Sequence, residues 1–226
     1  CPKTLILALE KKNVKTIAAQ ERFITVFYNS VGSVIVDTYY VASKYVADYI
    51  KDSKYHDIKN IIPVGLYRSD YITLHKKNTP EEIFKAKKDG KKIIIALGYQ
   101  TVNNWFESYT QPMFNWTAHI NFLEDIVKLS RHLNDTFIIL RPKGIKWITN
   151  TYFKSILNKI NDCENIVISN NYKESFYSYK LCANADLIIA KHTSLADECL
   201  SHEIPVLFHD YNHNLKKNSS LAFDYS

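Results

Sequence analysis

Short apolar runs alternate with segments of helical period along most of this chain. Continuous apolar runs bounded by turn residues read as strands covered on both faces. Their alternation with helices predicts an α/β fold built on parallel sheets flanked by helices. Val14–Ala19 and Thr38–Ala42 read as strands, followed by a helix from Ser43, its N-cap, to about Lys51. Asn60–Gly65 (NIIPVG) is the next strand, and Leu66–Asn78 reads as polar turns. Thr79-Pro80-Glu81-Glu82 then joins a capping residue, a proline at the first helical position and acids in the first turn, so a helix opens there and Gly90 ends it.

Lys92–Leu97 (KIIIAL) begins a second sheet. After the long loop Gly98–Asn115 comes an amphipathic helix, Trp116–Leu133, with Ile120, Leu123, Ile126, Val127 and Leu129 at helical spacing. Thr136–Leu140 (strand), Thr151–Ile160 (helix), Asn165–Ser169 (strand) and Tyr172–Ala183 (helix) continue the alternation. Within Ala185–Tyr211 lie a strand (Leu187–Ala190), a polar turn (Lys191–Ser194), a helix (Leu195–His202) and a strand (Pro205–Phe208). The composition shift at Leu66–Asn78 marks the expected boundary. Residues 1–68 are then the C-terminal part of one α/β domain, 69–90 a linker and helix, and 91–226 a nearly complete second α/β domain.

Composition changes this picture little. With 226 residues, 46% hydrophobic and 23% charged, the chain suits a globular protein. No apolar run is long enough to span a bilayer, and Cys1–Leu9, followed at once by Glu10, Lys11 and Lys12, does not read as a signal peptide. Opening at Cys1 and stopping just past Phe223-Asp224-Tyr225, the sequence is expected to be a piece of something longer. Its four cysteines lack ligand spacing, and Cys182 and Cys199 fall on apolar helix faces, as reduced buried thiols do in a reducing cytoplasm. A net charge of +6 suits attraction to anionic donors or a membrane surface, but no basic stripe points to nucleic acid. HExxH, GxSxG, P-loop and GxGxxG patterns are all absent, so metal binding, hydrolase, ATPase and dinucleotide chemistry lack their usual support.

The candidate chemistry lies at strand ends. Thr193 and Ser194 sit where a strand turns into a helix; they read either as a plain N-cap or as hydroxyls beside a phosphate at a helix N-terminus. His192 faces solvent or donates to that phosphate. Glu198, one turn on, is a solvated helix acid or an acceptor for a ribose diol. Arg141 and Lys143 directly follow a strand and read as surface cations or as partners of a phosphate. The loop Tyr99–Trp116, with Asn103, Asn104, Trp105 and Phe106, suits sugar or base stacking, or forms a small satellite core.

ADLIIAKHTSLADECLSHEIPVLF resembles the C-terminal half of GT-B glycosyltransferases, and more closely CDP-glycerol glycerophosphotransferases and capsule polymerases. Asp186, Thr193-Ser194, Glu198 and Pro205 carry the likeness. Upstream, NIIPVGLYRSDYI (Asn60–Ile72) and TIAAQERF (Thr16–Phe23) fit the same register, the latter resembling bacterial surface carbohydrate biosynthesis proteins. The resemblance implies a GT-B-like pair of Rossmann-type domains, with an acceptor-side domain first and a nucleotide-donor domain second.

It further implies a metal-independent glycosyltransferase with no cofactor beyond its nucleotide-sugar donor. The acceptor would be a surface polysaccharide, such as capsule or lipopolysaccharide, or a lipid-linked glycan. The protein would be cytoplasmic, with a peripheral place at the inner membrane. Gln20, Arg22, Gly98, Tyr99, Arg141, Lys143, His192, Thr193, Ser194 and Glu198 would bind substrate, and Glu21 would be the base for an acceptor hydroxyl, unless it simply pairs with Arg22. Teichoic-acid polymerases carry histidines where this chain has Gln20-Glu21-Arg22 and Leu140-Arg141-Pro142-Lys143, which disfavours glycerol-phosphate transfer. An NDP-sugar epimerase of the same fold and a non-catalytic carbohydrate-binding domain stay open beside it.

Overall fold

The computed structural model describes residues 3–20, 34–52, 56–98, 103–106, 115–171, 173–191 and 193–209. The chain divides into two compact units, one built on Cys1–Asp70 and the other on Tyr71–Lys217. The fold class is α/β, with parallel sheets flanked by helices.

The first unit holds strands β1 (Ile17–Ala19), β2 (Ile35–Val41) and β3 (Asp57–Pro63), paired in that order and all parallel. Helix α1 (Lys3–Glu10) precedes them, in a segment for which the sequence predicted no element. Helix α2 (Lys44–Asp52) carries the chain from β2 to β3; Ser43 Oγ caps it by accepting the Val46 N–H at 3.2 Å. Its inward residues Val46, Ala47 and Ile50 pack on Val36, Tyr39 and Val41 of β2. Asp37 bonds β2 to both neighbours, accepting from Thr16 N at 2.7 Å and from Lys59 Nζ at 2.5 Å. The Lys59 ammonium, and after it Thr16, hold the Asp37 carboxyl down at about 2.

In the second unit, helix α3 (Asp70–His75) occupies a stretch predicted as turns, and α4 (Glu81–Lys88) follows. Pro80 rather than Thr79 is the N-cap of α4, because the Thr79 hydroxyl donates instead to Asn184 at 2.7 Å. Gly90, at φ 74°, ends the turn beyond it in a conformation that suits glycine. Then come β4 (Lys92–Gly98), α5 (Trp116–His132), β5 (Thr136–Pro142), α6 (Lys154–Asn161), β6 (Ile166–Ile168), α7 (Tyr177–Cys182), β7 (Leu187–Ala190), α8 (Ser194–Leu200) and β8 (Val206–Phe208). The predicted helix over Tyr172–Ala183 contracts to α7, since Phe176 sits at φ 63° and interrupts the turn before it.

Five parallel strands pair in the order β6-β5-β4-β7-β8. The chain winds outward from β4 to one side and then returns to wind outward on the other, as in a doubly wound Rossmann-type sheet. Side chains alternate across the sheet. Ile94, Ala96, Ile138, Leu140 and Ile189 meet α5 and α6 on one face; Ile93, Ile95, Leu97, Ile139, Ile188 and Ala190 meet α3, α4, α7 and α8 on the other. That double cover is why KIIIAL carries no polar alternation. Asp186, at the start of β7, fixes the register by accepting the Ile93 N–H at 2.7 Å. Among the described residues no helix is long and apolar enough to cross a membrane.

Candidate functional site

The order of the strands reverses between β4 and β7, and open parallel sheets bind ligands beyond the C-terminal ends of their strands at such a switch point. Gly98 ends β4 there. A Cβ at this position would lie 3.2 Å from Pro142 Cα and 3.8 Å from His119 Cε1, so the absent side chain lets β5 and α5 close in. Lys191 follows β7 and keeps the parity of Ile189, which sends its side chain toward α5; its Nζ lies 5.8 Å from the centre of the Phe122 ring. The residue is almost wholly buried, and that burial brings its ammonium down to about 7.

His119, in the second turn of α5, is 1% exposed, and neither of its ring nitrogens has a hydrogen-bond partner among the described residues. Burial first, and the charge of Lys191 second, push its pKa well below the ordinary histidine value, so the ring is neutral at pH 7. Its walls are Trp147, at 4.8 Å between ring centres, and Phe153, at 5.7 Å. Trp147 Nε1 is likewise buried without a partner. Beyond β8, His209 Nε2 meets Asp125 Oδ2 at 2.9 Å, while its Nδ1 is buried and unpartnered. His209 and, less strongly, Lys128 lower the Asp125 pKa. Unsatisfied buried polar atoms cost about 1–3 kcal/mol each, and several of them gather on this side of the sheet.

Thr193 and Ser194 follow Lys191 in the chain at the start of α8, both half-buried. Thr193 is the N-cap by backbone position, yet its side chain makes no capping bond. Lys143 is exposed next to β5, and its N–H donates to the Gly98 carbonyl at 3.2 Å. These four positions, Gly98, Lys143, Thr193 and Ser194, share the C-terminal edge of the second sheet.

Two expectations are corrected by packing. Glu198 was read as lying open to a ribose diol, but it is 1% exposed and accepts the Tyr179 hydroxyl at 2.6 Å. Helix α7 covers the flank of α8 on which it lies. Arg141 was expected to face a diphosphate. It is buried on the opposite sheet face from Lys191, where Nε donates to Ser178 Oγ at 3.0 Å and the guanidinium lies 5.5 Å from the centre of the Tyr177 ring. Strand alternation dictates this, since Arg141 shares the parity of Ile139.

Gln20 directly follows β1 in the first unit, where it is buried and its Oε1 accepts the Ala42 N–H at 2.9 Å. Glu21, Arg22, Tyr99 and His192 lie outside the described residues. His119 and Lys191 were missed as site residues, although both left a signal. A histidine between Trp116 and Phe122 interrupts an apolar helix face, and a lysine two residues past Ile189 keeps that residue's direction.

No protein-family model matches this sequence, and no curated protein matches it. Among solved structures, the wall teichoic acid polymerase TagF aligns at 18% identity with a TM-score of 0.45, over 80% of this chain and 42% of its own. A histidine-to-alanine variant of TagF aligns at 15% identity and 0.46, over 79% and 40%. This chain thus spans about two-fifths of the length of those structures.

Proposed function

We propose that this chain is the donor-binding part of a metal-independent glycosyltransferase, which moves a sugar from a nucleotide-sugar donor to a surface polysaccharide or lipid-linked glycan. One observation carries the reading: the switch point of the five-stranded sheet combines a buried lysine, a buried histidine without partners among the described residues, and a glycine that lets β5 and α5 close on the strand end. Lys191, titrating near neutrality, takes a full charge when a phosphate arrives. Thr193 and Ser194 add hydroxyl donors, and neutral His119 supplies one N–H. Together they offset the charge that develops on the departing phosphate. Glu21 is the proposed base for the acceptor hydroxyl.

A second reading, transfer of a polyol phosphate from a CDP-linked donor, is favoured by His119 itself, because an imidazole stands at the site although the two expected histidine positions are empty of it. A thermal-shift panel of UDP-, CDP-, GDP- and CMP-sugars with CDP-glycerol tests both readings. Stabilisation by a nucleotide sugar supports the first, and by CDP-glycerol alone the second. Calorimetry on Lys191→Ala should then show roughly a hundredfold loss of affinity. Silence across the whole panel overturns the donor-binding role.

A further inference from the structure

Donor binding leaves the N-terminal edge of the second sheet unused. Each helix there runs back against its parallel strands, so α4, α5 and α6 all end beside the strand N-termini. The turns that follow them, at Asp89, Asn134 and Asp162–Glu164, border one cavity of about 630 Å³. That is the size of a small-molecule pocket, which is commonly ~300–1,000 Å³. The carbonyls left over at a helix C-terminus carry a partial negative charge, and three such ends together favour a cation.

The side-chain charges agree. Among the cavity's cations, Lys85 is spent on Glu81 at 2.6 Å and Lys91 on the Asn134 carbonyl at 2.5 Å. Asp89, Asp162 and Glu164 make no ion pair among the described residues, and Arg131 alone stands against them in the same state. This excess of acid lies on a chain whose net charge is +6. Hydrogen-bonding capacity leans the same way, since Asn165 spends its N–H groups on the Ser130 and Leu133 carbonyls and keeps its Oδ1 to accept. Ser130 also lines the cavity. It is 3% exposed, and its Oγ has no partner among the described residues, although a helix serine can donate to the carbonyl four residues back.

We infer that this cavity binds a small ligand bearing ammonium groups, a polyamine or an amino sugar. An ammonium supplies three N–H donors to carboxylates, helix-end carbonyls and the Ser130 hydroxyl. A phosphate would meet more unspent acids than cations, and a neutral polyol would draw nothing from the helix ends. A bare metal ion fits poorly, because among the described residues no three His, Cys, Asp or Glu side chains are grouped to hold one. The inference stands independently of the donor-binding reading.

Calorimetric titration of the full chain with spermidine, glucosamine and glucose at low salt tests it, with magnesium chloride as a competitor. Spermidine or glucosamine should bind, glucose should not, and the affinity should fall as salt rises. Spermidine alone identifies a polyamine site and glucosamine alone an amino-sugar site; binding of both shows that the ammonium is what is read. Asp162→Asn with Glu164→Gln should weaken the binding roughly tenfold. Ser130→Ala should weaken it roughly threefold or more while leaving the melting temperature unchanged or higher, because it removes an unpaired hydroxyl. If Ser130→Ala fails to fold, the exposed acid pair alone decides. Silence with both amines, equal binding of glucose, displacement by magnesium at matched concentration, or equal binding by the folded variants overturns the inference.

Discussion

The two edges of the five-stranded sheet solve different problems. At its N-terminal edge the polar groups are largely paired. Asp186 holds the Ile93 amide, Asn165 donates to the Ser130 carbonyl, and Lys91 reaches the Asn134 carbonyl. A cavity of about 630 Å³ lies there between Glu82, Lys91, Arg131, Thr136 and Glu164, with Ser130 Oγ as its unpaired atom. At the C-terminal edge a buried amine and two histidines with unsatisfied nitrogens converge. Space alone would select the N-terminal edge. Unsatisfied polar atoms at a reversal of strand order make the stronger case, since each represents a free-energy cost that a bound group can remove.

The contrast breaks most readily at Lys191. Its folded pKa of about 7 lies below the ordinary lysine value of 10.5, so the unfolded chain binds more protons between those limits. Stability therefore rises with pH from about 7 toward 10.5, and the full penalty of burying the charge is present below 7. Lys191→Met should remove that slope and stabilise the protein at and below neutrality, by up to about 5 kcal/mol. Urea melts across pH measure it, and an unchanged slope would place the amine in water.

Asp186→Ala tests the other edge. Losing the acceptor for a buried amide should cost about 1–3 kcal/mol while leaving nucleotide affinity intact. A parallel fall in affinity would mean that the two edges are coupled. Smallest of all, Arg131→Gln at the roomy cavity should stay within about 0.5 kcal/mol and leave binding untouched.

Much of the architecture was legible in the sequence. Leu187–Ala190 matches its strand residue for residue, and β4 and α5 lie within one residue of expectation, because long unbroken periodicity leaves little choice. Asn115, predicted to close the loop before α5, caps it by accepting the Ala118 N–H at 2.6 Å. Misreadings came where a neighbour decides. Helix α3 looks polar alone and is held by Ile72 inserting beneath the sheet. Glu198 seems exposed until α7 is laid beside α8, and Arg141 seems free until its strand parity is counted. In α5 the stripe expected through Ile120 and Leu129 is rotated toward His119, Phe122 and Ser130. Such facts belong to pairs of elements, and one-dimensional periodicity does not encode them.

The near-neutral amine after β7 has a thermodynamic signature of its own. At pH 7 roughly half the molecules carry that proton, so seating a phosphate beside it draws about half a proton from the buffer. The heat of association then varies with the ionisation enthalpy of the buffer, and the apparent affinity falls as the medium turns alkaline.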